Sequence, residues 1–317
     1  MLKKRMVYPV WGGSGLGSEV KLKFSGHESF SLRFSWVPKA IKQISNNPKF
    51  FSQDDAFVKL GVGKNMAMSI RHWCNILGLI EKGETPGELV LTHLAETIFG
   101  PTGFDPFLES DASLWLLHWM LAGCDSSAGS IKLAFSRWNE PTITKNSMVS
   151  WLQSLDDEVS TSSEAVISRD VEVMIKTYTK SKVGRYVPLE DSFDSPLSEL
   201  GMLVEDGSQS SEKVFRFNRG EKNSLPVGIL AYAINRYWIS ELGSSSTVRL
   251  ESISHAIGAP GAVFKLTQNN LFDMIESMPK EFGFGVTQTA GIAMISRDSS
   301  IVDEQTMIVH AYTGVLR

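Results

Sequence analysis

The sequence predicts a mostly α-helical protein with small β wings. Apolar residues recur at helical spacing through most of the chain, and side-chain caps and glycine stops punctuate those runs. Short β-type runs come in pairs around turns, near residues 79–91 and 285–296. Two short helices flank a Gly-containing turn just before the first pair, the layout of a helix-turn-helix with a wing.

The 317 residues give room for two or three domains. We read a basic flexible tail at 1–23, a winged-helix unit at 24–103, a mainly helical middle at 104–243 and a second winged-helix-like unit at 244–317. Charged residues make up 21% and apolar ones 42%, a globular balance that excludes a disordered chain. No apolar run reaches the ~18–20 residues of a membrane helix. The basic N-terminus is too short in apolar residues and too glycine-rich for a signal peptide. Two cysteines, Cys74 and Cys124, without a CxxC argue against a disulfide framework or structural zinc and fit a reducing cytoplasm.

Net charge is −4, but its distribution is uneven. Residues 1–75 hold twelve Lys and Arg against four acids, so a head of +8 precedes a body of −12. That asymmetry is expected where one end faces phosphate; the plain alternative is a solvated surface.

The glycine run at 12–17 lacks the strand, helix and Gly-Lys-Ser/Thr ending of a phosphate loop. Pro38 suits the first turn of a helix to about Ile44, ended by Asn46-Asn47-Pro48. Ser52 is expected to cap a helix through Leu60, with Asp54 and Asp55 at its positive end. Gly61-Val-Gly63 breaks the chain, and a second helix runs from Lys64 to about Leu77, stopped by Gly78. Leu79-Ile80 and Leu89–Leu91 flank a Gly/Pro turn as a two-stranded wing, and Thr92 caps Leu94–Phe99. Further helices are expected at Ala112–Ala122, Lys132–Trp138, Ser147–Leu155, Ser168–Lys180 and 226–242, with loops at Asp156–Glu164 and Glu205–Glu212. Toward the C-terminus, Leu250, Ile253 and Ile257 share one helix face. Thr267 caps a helix carrying Leu271, Ile275 and Met278, and two strands follow. No repeat of fixed period stands out.

The helix from Lys64 is two-faced. Met66, Ile70, Trp73 and Leu77 form the expected buried stripe. Lys64, Met68, Arg71 and Asn75 lie opposite, flanked by Asn65, Ser69 and His72. A helix entering a DNA major groove presents such a face, and Lys39 and Lys42 on the preceding helix extend its charge. Winged helices also serve as protein-interaction modules, so that reading stays open.

Several stretches resemble one family: Phe24-Ser-Gly-His-Glu-Ser-Phe30 with Trp36, Phe51-Ser-Gln-Asp-Asp-Ala56, Leu60-Gly-Val-Gly-Lys-Asn-Met66 and Ile70-Arg-His-Trp73. Others are Arg169-Asp-Val171 with Tyr178, Glu190-Asp-Ser-Phe-Asp-Ser-Pro-Leu197 with Leu200-Gly-Met-Leu203, and Gly261-Ala-Val-Phe-Lys-Leu266 with Thr289-Ala-Gly291. Over about residues 24–295 the chain is similar to the Domain of Unknown Function 4007 family. The resemblance implies a bacterial setting of DNA phosphorothioation in phage defence. The component it points to is regarded as a DNA nickase, working with a cysteine desulfurase, a sulfur transferase and an ATPase.

Hydrolysis of a phosphodiester needs an activated water and neutralisation of developing charge, which carboxylates holding Mg²⁺ or Mn²⁺ supply. Candidate metal ligands are Asp170, Glu190 and Asp191; candidate catalytic groups are His27 and Glu28. Each can equally serve as a buried or turn-shaping polar group. No known nuclease motif is visible. His93, His118, His255 and His310 stand in separate apolar contexts, and Trp115, Trp119 and Met120 read as core. Three readings therefore stand: a DNA nickase, a non-catalytic DNA-recognition subunit of the same machinery, and a winged-helix assembly scaffold.

Overall fold

A computed structural model describes residues 21–155, 162–180, 194–209, 212–298 and 301–316. The glycine run at 12–17, most of the loop expected at Asp156–Glu164, and Glu190 and Asp191 lie outside the described residues.

Helix α1 (Trp36–Asn46) buries Trp36, Val37, Ala40, Ile41 and Ile44, spaced to line one face. A 3₁₀ turn (Phe50–Ser52) leads into α2 (Ala56–Leu60), shorter than expected. Ser52 does not cap it; Asp55 holds that position without a side-chain bond. The Ser52 hydroxyl instead donates to the Gly87 carbonyl at 2.7 Å, anchoring the turn of the wing. Gly61 ends α2 with φ +68°, a left-handed conformation that favours glycine.

Helix α3 (Lys64–Ile76) follows. Its buried face is Ala67, Ser69, Ile70, Trp73, Cys74 and Leu77, and Met66 is only partly covered. Strands β1 (Ile80–Lys82) and β2 (Leu89–Leu91) pair antiparallel, with Ile80 opposite Leu91. Thr92 then caps α4 (His93–Phe99): its hydroxyl accepts the Ala95 N–H at 3.3 Å and donates to the Gly78 carbonyl at 2.9 Å. One side chain thus closes the end of α3 and opens α4.

In the middle of the chain, α5 (Asp111–Ala122) is buried on nearly every side and forms a central post. Helix α6 (Gly129–Ser136) starts three residues earlier than the sequence suggested. The Gly129 N–H is satisfied by the Lys23 carbonyl at 2.9 Å. Lys23 also pairs with Ala128 in an isolated parallel bridge, so the chain is pinned before residue 24. Strand β3 (Thr142–Ile143), α7 (Lys145–Gln153) with its Thr144/Ser147 capping box, and α8 (Glu164–Tyr178) come next. After a 3₁₀ turn at Pro196–Leu200, β4 (Leu203–Gln209) and β5 (Glu212–Phe217) form a hairpin. The stretch expected as a loop from Glu205 is therefore mostly strand, with an irregularity between Glu205 and Ser208 that leaves Asp206 and Gly207 out of the paired register.

Helix α9 (Val227–Tyr237) continues into a π turn (Trp238–Leu242). Then come β6 (Thr247–Arg249), α10 (Leu250–Ser254), α11 (Pro260–Val263), α12 (Gln268–Glu276), β7 (Phe284–Thr289), β8 (Ile292–Arg297) and α13 (Glu304–Thr313). Thr267 caps α12 as expected, accepting from the Asn270 N–H. Ile257 does not share the α10 face, because α10 ends at Ser254 and Ile257 is 55% exposed.

The described strands form small antiparallel sheets with orders β1-β2, β3-β5-β4 and β6-β8-β7. The last two repeat one plan: helix, short strand, helices, hairpin, with the short strand beside the hairpin's second arm. The first segment follows the same order without the short strand. The sequence has no fixed period, so what recurs is topology. A single apolar cluster runs through all these segments, from Phe24 to Ile308. Among the described residues no helix is long and apolar enough to cross a membrane.

Candidate nucleic-acid interface

Lys64, Asn65, Met68, Arg71 and Asn75 are all exposed on α3, and Met68 keeps 57% of its surface free. Lys39 and Lys42 are exposed on α1. The Lys39 ammonium donates to the Leu60 carbonyl at 3.3 Å, tying α1 to the end of α2. Lys64 sits 5.4 Å from the Phe57 ring centroid, which holds its charge at the start of α3. The face is thus assembled by three helices, and only its α3 row is contiguous along one helix.

His72 does not belong to that row. Its side chain turns toward residues 26–27, with its ring edge-on to His27 at 6.1 Å between centroids. Burial, aided by the neighbouring His27 ring, pushes the His72 pKa down to about 4. Gly26 permits this approach: its φ is +109°, and a Cβ there would stand 2.3 Å from the His72 Nδ1.

Behind α3 lies a polar junction that joins residues far apart in sequence. The His27 Nδ1 accepts the Ser29 N–H at 3.2 Å, which places the ring proton on Nε2. That proton is donated to the Asp170 Oδ1 at 2.9 Å. The other carboxylate oxygen accepts the Ser130 N–H at 3.0 Å and the Ser130 hydroxyl at 2.5 Å. The His27 carbonyl accepts from the Ser69 hydroxyl at 2.9 Å, and the Phe30 carbonyl from the Trp73 indole at 3.1 Å. One turn, residues 27–30, is therefore clamped between α3 on one side and α6 and α8 on the other. Glu28 and Ser29 hold φ values of +47° and +70° within it, a strained conformation sustained by these bonds.

The sequence singled out His27 for catalysis and Asp170 for metal binding; the structure brings them into direct contact. Glu28, next to His27 in sequence, is exposed. Both His27 nitrogens and both Asp170 oxygens are engaged within the protein. The cavity they line holds about 10 Å³, at the threshold for a single water. A magnesium ion that keeps several of its waters does not fit Asp170 as placed. Among the described residues, no three His, Cys, Asp or Glu side chains gather as a metal site. Nothing in the local pattern of Ser130 signals so distant a partner, and Ser69, expected to flank the exposed face of α3, is instead buried against the His27 carbonyl.

The remaining histidines are placed separately. His118 is fully buried, donating from Nε2 to the Val263 carbonyl at 3.0 Å and accepting from the Tyr178 hydroxyl at 2.8 Å. His93 and His255 are exposed, and His310 is half-buried. Trp115 and Trp119 are core residues, with Met120 partly covered.

The frame is one of helices with small two- and three-stranded antiparallel sheets, carrying a basic helix face over a polar clamp. Residues 24–312 match the model of the family described as "Protein of unknown function (DUF4007)", and the chain belongs to that family. It is similar to the magnesium-ion-bound crystal structure of SspB, at 25% identity over 92% of this chain and 96% of that one, with a TM-score of 0.74. A second SspB crystal structure is similar at 27% identity, over 92% of this chain and 86% of the other, with a TM-score of 0.76. None of the curated proteins matches the chain.

Proposed function

We propose that this chain binds double-stranded DNA through α3 and the β1–β2 wing, as a component of a bacterial DNA phosphorothioation system. The observation that carries the reading is the exposed row Lys64, Asn65, Met68, Arg71 and Asn75, backed by a clamp that fixes the helix from behind. In this reading residues 24–103 form a winged helix-turn-helix unit and residues 244–317 a second winged-helix-like unit. Likeness to the SspB structures and the family's motifs support the phosphorothioation setting. There the protein nicks one strand so that sulfur-transfer and ATPase partners can modify the backbone. Mg²⁺ or Mn²⁺ is the proposed cofactor, an idea supported by the magnesium ion of one SspB structure.

A second reading has its own support. Because His27 and Asp170 spend their polar atoms on each other and on Ser29 and Ser130, the chain can act as a recognition subunit without cutting. Both readings predict duplex binding with a steep salt dependence, and a Lys64→Ala/Arg71→Ala variant should lower the log–log salt slope by about two. Supercoiled plasmid incubated with the purified chain and Mg²⁺ or Mn²⁺ separates them. Open-circular product is expected from a nickase; duplex binding with the plasmid left supercoiled assigns the recognition role.

A further inference from the structure

A groove of about 320 Å³ opens on the far side of the clamped turn, lined by Ser29, Lys145, Ser168, Arg169, Glu172 and neighbouring apolar atoms. Two cations reach into it from different helices, Lys145 at the start of α7 and Arg169 on α8. Glu172 is shared by Lys145 at 2.9 Å and Lys176 at 2.7 Å, so its charge is outweighed and Lys145 is held at the rim. Arg169 is exposed and makes no ion pair among the described residues. The Ser29 and Ser168 hydroxyls add neutral donors.

The clamped turn connects the groove to α3, because residues 27–30 bond Ser69 and Trp73 while Ser29 lines the groove. At 100° per residue, His72 falls between the exposed row of α3, at the edge that Asn65 forms, and the side that Ser69 and Trp73 turn to residues 27–30. His72 touches Gly26, the turn carries on to Ser29, and Ser29 lines the groove. A chain of contacts therefore links α3, through His72 and the turn, to the Ser29 rim of the groove.

We infer that this groove binds a backbone phosphate of the same duplex that α3 engages, with Arg169 as its principal contact and Lys145 and the two serines completing it. A guanidinium offers the forked donor geometry that a phosphate oxygen pair accepts. The groove then fixes the register of the strand relative to α3 and carries no base information. This rests on the DNA-binding reading above.

The test is fluorescence anisotropy of a labelled duplex against salt concentration, with the full chain and with Arg169→Ala, Arg169→Lys and Lys64→Ala/Arg71→Ala. Arg169→Ala should reduce the salt slope by about one and weaken binding on the order of fivefold to tenfold near 0.1 M salt. Arg169→Lys should keep most of the slope, and circular dichroism should show all variants folded. An unchanged slope in Arg169→Ala, while the α3 double variant loses affinity, overturns the groove and leaves the α3 reading standing. Absence of duplex binding by the unsubstituted chain at low salt overturns both. Thermal melts in inorganic phosphate against chloride at equal ionic strength distinguish the phosphate's source. Phosphate stabilisation that needs Arg169, with duplex binding indifferent to it, would make the groove a free-anion site and overturn the proposal.

Discussion

Asp170 receives three hydrogen bonds in a nearly closed space, from the His27 ring and from the Ser130 amide and hydroxyl. Removing the carboxylate strands those donors away from water, and a stranded buried group costs more than a made bond contributes. Asp170→Ala should therefore destabilise the protein by about 3 kcal/mol, read as a lower urea midpoint. Asp170→Asn, which keeps an acceptor toward one partner, should lose less. If the two variants melt like the parent, the clamp contributes nothing to stability. Of this site, the candidates His27 and Asp170 were legible in the sequence because His and Asp are the residue types that carry chemistry. Their contact was not, because 143 residues separate them.

Helix α3 and the wing are held by short-range devices. Thr92 links the end of α3 to α4 through Gly78 and the Ala95 amide, while Ser52 reaches the tip of the wing at Gly87. Thr92→Ala removes a cap and a tie at once and should cost about 1–2 kcal/mol. Hydrogen exchange should then show faster opening at Leu77–Leu79 and Ala95; unchanged protection there would mean the β1–β2 pairing alone sets the wing. These elements were readable beforehand, since caps, glycine stops and apolar spacing act within a few residues. The misread Ser52 is instructive. It satisfies the local rule for a helix cap, but its hydroxyl finds the Gly87 carbonyl 35 residues away.

Buried polar groups tie the chain's segments into a single body. His118 on α5 bonds Tyr178 on α8 and the Val263 carbonyl on α11. Lys265 donates to the Ala134 and Phe135 carbonyls under the Phe217 ring, and burial pushes its ammonium down to about 7. Arg236 joins Asp125 to the α13 carboxylate of Glu304. Burial lowers both His118 and His72 to about 4. Below their ordinary value of 6.5 the unfolded chain binds more protons at these sites than the folded one. Their contribution is whole above that pH and is lost as pH falls toward 4. The melting temperature should decline between pH 6.5 and 5, ahead of most carboxylates, and His72→Gln should make that decline shallower. A flat profile across the window would contradict the burial of neutral imidazoles.

Helix positions, the wing, the exposed basic row and the asymmetry of charge are properties of neighbouring residues and of composition, and they can be read from the chain alone. The clamp of His27, Asp170 and Ser130, the inward turn of His72, the strand orders that repeat in the middle and C-terminal segments, and the groove beside Ser29 arise from long-range packing. Side chains without local pattern become partners there only after distant helices have been brought together. The physical reason is that capping and periodicity depend on spacing along the backbone, whereas a buried polar group is satisfied by whichever donor or acceptor the fold delivers to it.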